Sequence, residues 1–207
     1  MNAKFAFSIA ALALVATTPM TFAAPPDQPG HISPQPGTED DTASAIKDAA
    51  GHTVGTVAAA VTIKLPDFVN AAAISDMYEV EAGKIALERS HNAQVTGFAR
   101  QMVSAHTGTT KELKATLARI SSTVTPPSAL DDRHQGMIDE LRGAKDGDFD
   151  TRYMSQQVDA HREALILVRG YSSDGDTPAV KAFAAKIAPA VQSHLDMAKK
   201  IYEKKSS

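Results

Sequence analysis

Four ionisable side chains, Glu79, His106, His161 and His194, occupy positions that the apolar pattern around them marks as interior. Neutral imidazole nitrogens suit zinc, iron, copper or nickel, and a carboxylate offsets part of a divalent charge. A glutamate and three histidines that meet at one point therefore fit a single divalent transition metal ion (Zn, Fe, Cu or Ni). They fit a two-metal oxidase centre poorly. Such centres in helical bundles use a Glu-x-x-His pair on each of two helices, whereas Val158 and Val191 stand three residues before His161 and His194. The same four side chains also fit a hydrogen-bonded network that serves only the fold, because buried polar groups need partners with or without a metal. Two functions thus remain open: a metal-binding bundle, and a non-enzymatic envelope or stress-related interaction protein with structural histidines.

No conventional hydrolase signature accompanies these residues. The chain has no Gly-x-Ser-x-Gly elbow, no phosphate-binding loop and no His-Glu-x-x-His zinc motif, so no catalytic residue is assigned. It has no cysteine, which removes thiol catalysis, thiolate metal sites, disulfides and a cysteine-linked lipid anchor from consideration. Asp76, Glu81, Glu88 and Asp159 point away from the predicted core faces and are expected in solvent. His31, His52, His91 and His134 lie in turns or weakly patterned segments and receive no role. Met77, Met102, Met154 and Met197 are expected to fill gaps in the core rather than bind copper.

The elements that must position the four residues are helices. Alanine is abundant and alternating β-branched runs are scarce, a composition that favours helix over sheet. Pro66-Asp67 opens a first helix with Phe68, Ala72, Ser75, Glu79, Ala82 and Ala86 on one face. Asn92 caps a second, whose face runs Val95, Phe98, Ala99, Met102, His106, Thr109, Leu113, Leu117 and Ile120. Thr125-Pro126-Pro127 ends it, and Ser128 with Asp131 gives a capping-box-like start to a short helix that reaches about Arg142. Asp146-Gly147-Asp148 reads as a turn before a third long helix, Phe149 to Tyr171, with Met154, Gln157, Val158, His161, Leu165 and Val168 inward. Thr177-Pro178 starts the fourth, with Val180, Phe183, Ala184, Ile187, Val191, His194, Ala198 and Ile201 inward. Pro189 inside this helix predicts a bend in the preceding turn.

Four amphipathic helices, with two tight turns and one long connection holding an extra short helix, make an all-α, ferritin-like four-helix bundle with a crossover. On a rise of about 1.5 Å per residue, Glu79 and His106 lie roughly 18 and 22 Å from the first turn, and His161 and His194 roughly 20 and 26 Å from the last. All four therefore fall near mid-bundle. Three buried, uncharged imidazoles would make stability fall on acidification.

The N-terminus reads as a cleavable signal peptide over residues 1–23. Lys4 precedes the apolar run Phe5–Ala16, and Thr21-Phe22-Ala23 offers small residues for cleavage after Ala23. Residues 24–65 form a predicted disordered linker, rich in Pro, Gly, Asp and Gln, with a weak helix over 45–61. Residues 66–205 form the bundle domain. A periplasmic or secreted location follows, with no transmembrane helix in the mature chain. Lysine and arginine are dispersed, the net charge is −3 and aromatics make up 5%, so neither a basic stripe nor a base-stacking platform for nucleic acid is expected.

Several stretches then take on a joint meaning: Phe68-Val69 with Ala71-Ala72, Glu79 through Leu87, Phe98-Ala99 with Met102-Val103 and His106, Val158 with His161, and His194-Leu195. In this order they resemble an exported bacterial family, domain of unknown function 4142. The resemblance spans about Pro66 to Tyr202 and implies a ferritin-like bundle in the cell envelope with no established activity. It carries over Glu79, His106, His161 and His194. Relatives commonly place an acidic residue just before the second-helix histidine, where this chain has Ala105.

Overall fold

The computed structural model describes residues 64–205. Five helices occur there, with no strand among the described residues: α1 (Leu65–Arg89), α2 (Ala93–Arg119), α3 (Asp132–Gly143), α4 (Asp146–Asp174) and α5 (Pro178–Lys205). The predicted signal peptide and almost all of the predicted linker, its weak helix included, lie outside the described residues.

Local chemistry sets most of the helix ends. Lys64 caps α1 without a side-chain bond, and Pro66 sits in the first turn, where a missing N–H costs nothing. The Asn92 side chain accepts from the amides of Gln94 (2.8 Å) and Val95 (3.4 Å), satisfying donors that the start of α2 leaves open. Asp131, not Ser128, caps α3, accepting from His134 N at 2.8 Å. Asp146-Gly147-Asp148 is the first turn of α4 rather than a turn before it. Two carboxylates at a helix N-terminus complement its dipole, which offsets the cost of the glycine. α5 is continuous through Pro189. Both Pro189 and Ala185, whose carbonyl loses its partner, face solvent, so water can take the freed bond.

Pairwise contacts give the topology. α1 packs on α2 and α4, α5 packs on α4 and α2, and α3 lies against α1 and α4. Phe68 at the start of α1 stacks on Tyr171 near the end of α4, with ring centroids 4.1 Å apart. Arg89 at the end of α1 lies 4.7 Å over Phe149 at the start of α4. These helices are therefore antiparallel. Lys186 early in α5 meets Glu112 late in α2 at 2.6 Å, which makes that pair antiparallel too. With α1 and α2 joined as a hairpin, α2 and α4 must run parallel, and only a crossover can join them. The 120–145 segment, with α3 inside it, is that crossover.

The core is continuous along the bundle. Phe68, Tyr171 and Phe183 fill one end, Phe98, Phe149 and Tyr153 the other, all almost fully buried. Each such side chain contributes about 1.5–3 kcal/mol relative to exposure. Ile120, expected inside, is instead the C-cap residue of α2 and is exposed. The Arg89 guanidinium donates to the carbonyls of Leu141 (2.6 Å) and Ala144 (2.6 Å) and pairs with Asp146 (2.8 Å), tying the end of α1 to the α3–α4 junction.

Candidate metal centre

Three helices bring three imidazoles to the middle of this core. His106 comes from α2, His161 from α4 and His194 from α5, with exposures of 5%, 1% and 6%. Ring centroids are 5.5 Å apart for His106–His161 and His161–His194, and 5.9 Å for His106–His194. One nitrogen from each ring lies within 4.8 Å of one from each of the others.

Two rings are held from behind. His106 Nδ1 lies 2.8 Å from Asp76 Oδ1, and the other Asp76 oxygen accepts from the Thr110 hydroxyl at 2.9 Å. His161 Nδ1 lies 2.9 Å from the Gln157 carbonyl, one turn back on the same helix. A carbonyl or a carboxylate only accepts, so Nδ1 carries a hydrogen in both rings, and in the neutral form of each ring Nε2 keeps its lone pair. His106 Nε2, His161 Nε2 and His194 Nδ1 are all buried and make no hydrogen bond. Histidine metal ligands commonly have this arrangement, with one nitrogen tied to a carboxylate or backbone carbonyl and the other left to the ion.

Glu79, on α1, is 1% exposed and neither carboxylate oxygen has a hydrogen-bond partner. Oε1 lies 3.6 Å from His161 Nδ1, behind that ring. The three histidines come together as a group whose nitrogens could hold an ion, and Glu79 stands beside that group rather than in it. The Tyr153 hydroxyl and the Gln157 side-chain amide are also buried without hydrogen bonds. Gln157 is near enough to ease the Glu79 charge, but the two side chains do not meet in a well-formed bond.

The electrostatics follow from burial and mutual charge. Desolvation raises the Glu79 carboxyl to about 7 against the pull of His106. Desolvation lowers His161 well below its usual value and His194 to about 4, and a charge on His106 pushes both further down. Burial opposes the charged form of His106 as well, but the Asp76 hydrogen bond and the nearby Glu79 carry it above its usual value. Burial also raises the Asp76 carboxyl, against its bonds to His106 and Thr110. His161 and His194 are thus neutral, which leaves their free nitrogens competent to bind an ion.

Asp76 corrects the sequence expectation. It is 4% exposed and hydrogen-bonded inside the bundle, not solvated. α1 is covered on more than one side, and Ala72, Ala73, Ile74, Asp76, Tyr78 and Glu79 are all buried, so a single inward stripe does not describe it. The available signal was the spacing of Asp76 and Glu79, three apart and hence neighbours on a helix surface. Glu81 and Asp159 do behave as partly solvated charges, paired with Arg142 (2.6 Å) and Arg162 (2.9 Å). His134 is in the first turn of α3, half-buried and 2.6 Å from Asp131 Oδ1. His91 is exposed between α1 and α2, and His31 and His52 lie outside the described residues.

Comparison with known proteins places the fold and the family. No curated protein matches the chain. Among solved structures, a DUF305 fragment from Deinococcus radiodurans superposes with a TM-score of 0.59 at 14% identity, covering 67% of this chain and 95% of that one. At this identity the likeness concerns the helical fold alone. The family model described as "Domain of unknown function (DUF4142)" matches residues 50–201, from upstream of α1 to the last turns of α5. Since that match takes in nearly all of the bundle and most of the chain, the protein belongs to the DUF4142 family.

Proposed function

We propose that this bundle binds one divalent first-row transition metal ion through His106, His161 and His194. The observation that carries this reading is the convergence of three buried imidazole nitrogens with no hydrogen-bond partner. A network serving the fold alone would spend those nitrogens on one another or on neighbouring donors, because an orphaned buried polar atom costs about 1–3 kcal/mol. Asp76 and the Gln157 carbonyl fix the ring orientations of His106 and His161, and Glu79 supplies compensating negative charge from behind His161. Imidazole donors favour Zn, Cu, Fe or Ni. The proposed setting is the periplasm, on the strength of the N-terminal export pattern.

Elemental analysis of protein purified without chelators tests the site. Wild type should carry close to one ion per chain, and His106→Ala and His161→Ala should carry little. Equal metal content in all three would end the proposal. Chelation should also lower the melting temperature of wild type, since an ion at a hundred times its Kd stabilises the folded state by about 2.7 kcal/mol. The alternative, an interaction protein with structural histidines, requires chelators to leave melting unchanged. For the setting, protein recovered from the periplasm should have the mass left by cleavage after Ala23, and an intact N-terminus there would contradict export by a cleaved signal.

A further inference from the structure

The three-histidine set has a route to solvent. A cavity of about 120 Å³ reaches from the surface down to His106 and His194. Its mouth is formed by the less buried lining residues: Ser75 on α1, Ala105 and Thr109 on α2, Ala164 on α4 and Ile187 on α5 are half-buried, and Ala190 on α5 is exposed. The buried side chains of Leu167, Val168 and Val191, from α4 and α5, make its apolar walls. Of the lining side chains, only His106 and His194 present buried polar atoms without a partner. Both Asp76 oxygens are engaged, by His106 and Thr110.

Size and chemistry limit what this space can take. A water needs about 10–15 Å³ on this measure, so the cavity admits a molecule several times larger. Pockets that hold drug-sized organic ligands measure roughly 300–1,000 Å³, a size this cavity does not reach. Three protein ligands also leave a tetrahedral or larger coordination shell incomplete, as in metal sites that keep a position open.

We infer that the ion proposed above is open to this cavity, and that a small inorganic lone-pair donor the size of azide enters between α1, α2 and α5 to bind it. This rests on the metal reading and goes beyond it by assigning the open position, the route and the ligand class. Apart from Ile187 the residues at the mouth are small, which keeps the route passable.

The test uses the full mature protein loaded with Co(II), whose visible spectrum reports coordination, and sodium azide as the probe. Wild type should take up cobalt and change its spectrum saturably with azide. Ala105→Leu and Ala190→Leu each place a larger side chain at the mouth on partly exposed helical positions, where leucine is a good helix former. Both should bind cobalt as wild type does yet bind azide about tenfold more weakly or worse, in line with steric discrimination in apolar pockets. No cobalt uptake by wild type would remove the metal reading and this inference together. Uptake without an azide response would leave the metal reading standing and overturn the open position. An azide response unchanged in both leucine variants would overturn the route.

Discussion

At His106 the two ring nitrogens have different duties, and the division depends on Asp76. Its carboxylate holds Nδ1–H at 2.8 Å and so decides which nitrogen faces the other two rings. Asp76→Asn keeps the shape but weakens the acceptor and removes the charge. Metal affinity should fall by about 10–100-fold, the usual cost of losing such an outer partner, in a chelator-competition titration with helical circular dichroism unchanged. An affinity equal to wild type would show that Asp76 orients nothing. The proton equilibria give a separate test in metal-free protein. His194 is held at about 4, mainly by burial, against an ordinary 6.5. The unfolded chain therefore takes that proton first, and stability present above about 6.5 is lost as pH falls towards 4. Glu79, raised to about 7, works the opposite way: its contribution is full below about 4.5 and fades as pH rises through 7. The pKa directions match the acid lability expected of neutral histidines at His161 and His194 but not at His106, which Asp76 raises. Comparing melting curves of wild type and His194→Asn isolates one group. The wild-type curve should lose ground to the variant's between pH 6.5 and 4, and parallel curves would mean that His194 is not buried as a neutral ring.

Between helices, close approach at Gly83 limits substitution. A β-carbon there would lie 2.8 Å from Val103 Cγ2 and 3.2 Å from the Ala99 carbonyl across the α1–α2 contact. Gly83→Val should destabilise the bundle by about 1–3 kcal/mol through overpacking, and denaturant unfolding will show it as a lower midpoint. No loss would mean that α1 and α2 can separate without penalty. At the head of α2, Asn92→Ala should cost about 1 kcal/mol, because two backbone amides lose their acceptor. The long helices, the Asn92 cap and all three inward histidines are legible in the sequence because amphipathic periodicity and cap chemistry are local. The one-face pattern leaves Asp76 out, since it assigns a single inward stripe per helix, whereas α2 also covers the flank of α1 that carries Asp76, through His106 and Thr110. The acidic turn before Phe149 is ambiguous for a related reason: Asp-Gly-Asp suits a loop and the start of a helix alike. Nor does sequence show that Glu79 sits behind His161, because a position along a helix does not fix where a flexible carboxylate ends.

For the whole molecule, the crossover decides which residues can meet. The α1–α2 hairpin contributes only His106 to the proposed ligand set, whereas α4–α5 contributes His161 and His194. Neither hairpin holds the full set. The proposed ion can therefore be bound tightly only after the two hairpins have docked and the long 120–145 connection has closed. Cation capture then becomes a clock for assembly: in refolding with Co(II) present, the absorbance of the ligated ion should rise with the last folding phase. Its appearance in an earlier phase would mean that two histidines suffice, and its appearance with the last would make hairpin docking the step that a bound metal locks.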